Sequence, residues 1–153
     1  MTKIAVDCMG GDYAPEEIVK GCILAYRELG LESLLVGDEE RIRSILKREG
    51  FEGKLQVVHA GDIIEMHEPP SNVLKKKHSS LYVAGRLVRE GLADGLVSAG
   101  NTGAVLTVGK FVIGSIEELE RPAIGVALPN PKGKTVLIDV GANVDCKPKH
   151  LLH

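Results

Sequence analysis

The sequence predicts an α/β domain: a mostly parallel open sheet with helices on both faces. Three observations predict it. Short unbroken apolar runs alternate with segments of helical period. The apolar runs lack the in-out alternation of a strand with one wet face, so both faces of the sheet are covered. Polar, glycine-bearing turns follow the runs "KIAVD", "DGLVS" and "TVLIDV".

Each element has its own warrant. "KIAVD" (3–7) reads as a short buried strand, and "APEEIVKGCILAYRELG" (14–30) as a helix. Pro15 suits the first helical position, which puts the cap at Ala14, and Glu16 and Glu17 suit the positive end of the dipole. Ile18, Cys22, Ala25 and Leu29 form its apolar stripe and Gly30 ends it. "SLLVG" (33–37) is a second strand. "DEERIRSILKREG" (38–50) is a helix capped by Asp38 and closed by Gly50, and "KLQVVHA" (54–60) is a third strand.

Gly61 to Lys77 shows no period, and its "EPP" (68–70) breaks regular structure. Ser79 or Ser80 caps a helix over "LYVAGRLVREG" (81–91). The strand "DGLVS" (94–98), a glycine turn, a helix from Ala104 to Ile116, and the strands "AIGVALP" (123–129) and "TVLIDV" (135–140) follow. The last residues give a turn, Pro148 at a helix start, and one helical turn. That pattern reads as residues 1–153 forming the N-terminal part of a single longer unit.

Composition narrows the function. A net charge of −2 argues against a nucleic-acid binder, and 3% aromatics with no Trp argue against a base-stacking platform. Cys8, Cys22 and Cys146 form no C-x-x-C pair and read as free thiols in a reducing compartment. The start "MTKIAVD" reaches an acid within seven residues, so no secretory leader is expected. No apolar run approaches the roughly 20 residues of a bilayer span. The expected location is the cytoplasm.

In open α/β sheets ligands bind beyond the carboxyl ends of the strands. "DCMGGDYAP", "SAGNTGA" and "DVGANVD" all fall there and can share one rim. In the second turn, Ser98, Asn101 and Thr102 add donors beside the amides of Gly100 to Gly103, and phosphate is the expected occupant. The alternative is a tight turn whose Asn or Thr merely caps the helix. Asp7 and Asp12 flank the first turn, with Gly10 and Gly11 inside it, and Ala14 as cap leaves Asp12 free for a ligand. Asp139 and Asp145 flank Asn143 in the third turn, which also holds Gly141. Such carboxylates could bind a hydroxyl, orient a lysine or hold a metal, and spacing does not decide. His59, His67 and His78 show no ligand spacing, so no metal is expected. Neither a Walker loop nor a dinucleotide fingerprint is present. Lys75, Lys76 and Lys77 are either a solvated face or a docking patch for an acidic partner.

Together, "DCMGGD", "SAGNTGA", "RPAI" (121–124) and "LIDVGANVDCKP" (137–148) resemble the bacterial phosphate acyltransferase (PlsX) family in order and spacing. The family protein is about twice this length. The resemblance implies a phosphotransacetylase-like fold, a homodimer, and acyl transfer from acyl carrier protein to inorganic phosphate, giving acyl phosphate for phospholipid synthesis. It implies no nucleotide, metal or other cofactor. It implies a peripheral membrane contact through a region beyond this chain. Asn101 and Thr102 are then expected at the reacting phosphate or oxyanion. Asp7, Gly10, Gly11, Asp12, Ser98, Gly100, Gly103, Gly141, Asn143 and Asp145 are expected around the substrate, with Arg121 as its clamp. The lysine run would meet the acidic carrier protein, and His78 departs from the family's smaller or acidic residue there. A coenzyme A-dependent phosphate acetyl- or butyryltransferase and a non-catalytic phosphate-binding lobe are the alternatives.

Overall fold

Four strands, β1 (Lys3–Asp7), β2 (Glu32–Gly37), β3 (Gln56–His59) and β4 (Gly95–Ser98), pair in the order β3-β2-β1-β4, all parallel. The computed structural model describes residues 2–117 and 122–138. These strands belong to a first unit, Met1–Gly114, and a second unit is Ser115–His153.

Register explains why the apolar runs are unbroken. Ala5 lies beside Leu34 and Val6 beside Leu35. Successive side chains face opposite sides of a strand. Ala5, Leu34 and Val36 therefore enter one core with Val83, Ala84 and Leu87, while Val6 and Leu35 enter another with Val19, Ile23, Ile42 and Leu46. The first core lies under α3 (Ser80–Arg89), the second under α1 (Glu16–Leu29) and α2 (Glu39–Arg48). Both faces are covered, as the sequence predicts. Cys8 and Cys22 are free and buried in the second core. Among the described residues no helix is long and apolar enough to cross a membrane.

The helix ends carry the differences. Asp38 caps α2, its carboxylate accepting from the Arg41 N–H at 3.1 Å, and Ser79 caps α3. In α1 the cap is Pro15, one residue later than expected, and it offers no side-chain acceptor. The fourth helix, α4, runs Thr102–Val108 rather than from Ala104, because the Asn101 side chain accepts from the Ala104 N–H and so starts the helix at Thr102. It then widens into a π turn, Gly109–Ile113, which Gly114 ends. A Cβ on Gly85 of α3 would collide with Val108, so α3 and α4 cross where a side chain is missing. The unperiodic segment holds a short 3-10 turn, Pro70–Leu74, packed with α4 around Val73, Leu81, Ala104 and Val108.

In the second unit, β5 (Gly125–Asn130) and β6 (Gly133–Ile138) form an antiparallel hairpin. Its two-residue turn is too short for a parallel crossover, which needs a dozen or more residues. Asn130 holds the turn by accepting from the Lys132 N–H at 2.8 Å and donating to Thr135 at 2.7 Å. Arg121, Asp139, Gly141, Asn143, Asp145, Cys146 and the helix start at Pro148 lie outside the described residues.

Candidate functional site at the carboxyl edge of the sheet

From β1 the chain builds β2 and β3 to one side, then returns to place β4 on the other. The reversal makes the gap between the carboxyl ends of β1 and β4 the topological switch point, where open α/β sheets bind ligands. Both glycine turns leave the sheet there.

The two turns are clamped together. Asp7 and Ser98 are register partners at the last positions of β1 and β4. The Ser98 hydroxyl donates to Asp7 Oδ2 at 2.7 Å and accepts from the Gly100 N–H at 3.1 Å. Asp7 Oδ1 accepts from the Met9 N–H at 3.2 Å. Asp7 is 2% exposed, so its carboxylate serves the two turns rather than solvent.

This contact accounts for several glycines. A Cβ on Gly10 would lie 2.5 Å from Asp7 Oδ2, 2.9 Å from Ser98 Oγ and 3.1 Å from the Gly100 Cα, all closer than real Cβ contacts sit comfortably. A Cβ on Gly100 would lie 3.1 Å from the Gly10 Cα. Gly11 adopts φ +112°, a region L side chains rarely enter. What first comes close to each turn is the backbone of the other.

Asn101 is buried and fully engaged. Its Oδ1 accepts from the Ala104 N–H at 3.0 Å, and its Nδ2 donates to the carbonyls of Met66 and Glu68 at 3.1 and 2.9 Å. Gly103 lacks a side chain where a Cβ would meet Pro70 Cγ at 2.6 Å. The second turn is thus fastened to the 65–70 segment as well as to the first turn.

That segment has its own electrostatic anchor. Glu68 Oε1 accepts from Lys76 Nζ at 2.7 Å and from the Glu65 N–H at 3.1 Å, and its Oε2 accepts from Asn72 Nδ2 at 3.1 Å. The Lys76 hydrogen bond, with the Glu65 and Asn72 donors, holds the Glu68 carboxyl down at about 2. Lys76 is shifted up by the same partner and also donates to the Ile63 carbonyl at 2.9 Å. Lys76 is therefore a strut inside the loop, whereas Lys75 and Lys77 are exposed. Sequence reasoning passed over Glu68 and Asn72. The usable signal was the 68, 72, 76 spacing of an acid, an amide and a lysine, with a Pro pair directly after the acid.

What remains open is main chain. The N–H groups of Gly10, Gly11, Asn101, Thr102 and Gly103 have no hydrogen-bond partner among the described residues. Thr102 and Asp12 are exposed beside them. The structure thus brings Asp7, Gly10, Ser98 and Gly100 into direct contact and sets Gly11 against Ala99, with Asn101, Thr102 and Gly103 continuing the rim. Partner-free amides clustered on a rigid turn favour an anion.

The fold and this rim define the class: a doubly wound α/β domain with an amide-lined site at its switch point. A family model described as "Fatty acid synthesis protein" matches residues 2–153. The chain belongs to that family. It is 75% identical over 154 residues to a phosphate acyltransferase of Aquifex aeolicus (strain VF5), covering 99% of this chain and 46% of that protein. It is 55% identical over 151 residues to a phosphate acyltransferase of Pelotomaculum thermopropionicum, covering 98% of this chain and 44% of that protein. The chain therefore spans about half the length of these relatives. A solved phosphotransacetylase from Streptococcus pyogenes shares the fold, with a TM-score of 0.72 at 23% identity, over 98% of this chain and 50% of that one.

Proposed function

We propose that the chain forms the N-terminal part of one acyltransferase unit, which moves a fatty acyl group from acyl carrier protein to inorganic phosphate. The product is acyl phosphate for phospholipid synthesis. A phosphate oxygen attacks the thioester carbonyl, the C–S bond breaks, and the carrier-protein thiolate leaves and takes up a proton. Phosphate dianion is already nucleophilic, so the protein's task is to hold the ion, align it and stabilise the oxyanion.

The observation that carries this reading is the clamped pair of turns whose main-chain N–H groups have no partner among the described residues. The N–H groups of Gly10, Gly11, Thr102 and Gly103, with the Thr102 hydroxyl, hold phosphate or oxyanion. Asp7, Ser98 and Gly100 keep the two turns together, and Asn101 keeps the second turn in place. Asp12 borders the site. No cofactor takes part. The exposed Lys75 and Lys77 suit an acidic carrier protein. The working form is a cytoplasmic homodimer with a peripheral membrane contact. Family membership and the relatives' shared description support the reaction class.

The test is release of carrier-protein thiol from an acyl thioester by the full-length protein. Release that depends on inorganic phosphate is expected. Release that requires coenzyme A instead, or phosphate binding without any turnover, overturns the assignment.

A further inference from the structure

A basic cavity lies at the other edge of the sheet. A cavity of about 490 Å³ opens where β3 ends, lined by His59, Gly61, Lys77, His78, Tyr82 and Arg86 among others. Two fixed cations and two imidazoles thus converge from three segments: the end of β3, the lysine run, and α3. No carboxylate lines it among the described residues. Asp62 faces Lys76 at 3.7 Å, whereas Glu90, at the C-cap of α3, lies 3.5 Å from Arg86, so an entering anion competes with it for the guanidinium.

The walls are set by backbone bonds. The Ala60 N–H donates to the Gly37 carbonyl at 2.8 Å, the Asp62 N–H to the His78 carbonyl at 3.2 Å, and the Ser80 N–H to the Asp62 carbonyl at 3.0 Å. His59 and His78 are therefore presented by paired segments rather than by a free loop. The site is separate from the rim between β1 and β4. β3 lies two strand intervals from β1 and three from β4, roughly 10 and 14 Å at the usual strand spacing.

We propose that this cavity binds a phosphate group, free or carried on a small organic molecule. The Arg86 fork and the Lys77 ammonium match a tetrahedral oxyanion with several acceptor oxygens. The cavity falls in the size range of small-molecule pockets, and Val83 and Tyr82 give it an apolar wall on which an organic moiety can rest. The site shares Lys77 with the proposed carrier-protein face but none of the rim residues, so it stands whether or not the acyl-transfer reading holds.

The test follows the imidazole signals of His59 and His78 by NMR in histidine-labelled full-length protein. Inorganic phosphate and ribose 5-phosphate are titrated separately, with potassium chloride at matched ionic strength as control. Saturable shifts at both histidines are expected, and Arg86→Ser weakens the apparent affinity about tenfold through loss of a charge-assisted contact. Arg86→Lys, which keeps the charge and loses the fork, binds between the unchanged protein and Arg86→Ser. Tighter binding of the sugar phosphate identifies an ester ligand, and tighter binding of inorganic phosphate identifies the free ion. Shifts no larger than chloride gives, or equal affinity in Arg86→Ser, overturn the proposal.

Discussion

Ser98 and Asp7, 91 residues apart in the chain, meet through a 2.7 Å hydrogen bond that joins the ends of β4 and β1. A buried carboxylate without its donors is costly, so this bond stabilises the fold while it aligns two turns. Ser98→Ala removes the hydroxyl that donates to Asp7 and accepts from Gly100. It is expected to lower unfolding free energy by about 1–3 kcal/mol in urea denaturation, and to weaken phosphate binding in the same variant.

Two glycines separate close approach from mere flexibility. Gly10→Ala forces a methyl group against Asp7 and Ser98 and is expected to destabilise by about 1–3 kcal/mol. Gly21, inside α1 with nothing within 4 Å of an added Cβ, behaves oppositely. Gly21→Ala is expected to stabilise by roughly 0.5–1 kcal/mol. Thermal melts of the two variants check both signs.

Much of this architecture is legible in the sequence, and the exceptions share a cause. β1 and β2 are readable because parallel strands buried on both faces need continuous apolar runs, and α2 because Asp38 stands before its apolar stripe. The glycine turns are readable as special, but the reason for Gly10 and Gly100 is each other's backbone across about ninety residues, which one sequence does not display. The start of α4 is masked because Thr102 and Gly103 are poor helix formers, and the Asn101 cap and the packing of Gly103 on Pro70 override that preference. Glu68 and Lys76 sit in a segment without apolar periodicity, so the spacing of Glu68, Asn72 and Lys76 is the one trace of their pairing in the sequence.

Acid should loosen the 65–70 segment. Glu68 is held at about 2 in the fold against an ordinary 4.5, so its anchoring is fully present above 4.5 and lost as pH falls through about 2. Glu68→Gln is expected to remove that part of the acid transition, and Lys76→Met to move the Glu68 titration upward. Carboxyl carbon NMR of Glu68 measures the latter directly.

Asn101 ties capping to loop placement. Asn101→Leu loses the cap on Ala104 and strands the carbonyls of Met66 and Glu68, so about 1–3 kcal/mol of stability should go with it. Asn101→Asp keeps the capping oxygen and removes the donor. It is expected to retain α4 while freeing the 65–70 segment, seen as faster amide exchange at Met66 to Glu68.

The central claim is that two turns, locked by Asp7 and Ser98, offer main-chain N–H groups to an anion. Amide NMR of the full-length protein during titration with inorganic phosphate, at constant ionic strength, measures it most directly. Saturable shifts of Gly10, Gly11, Thr102 and Gly103 with a common dissociation constant, which rises in Ser98→Ala, are the expected result. Amides that stay in place, or that respond equally to chloride, would contradict it.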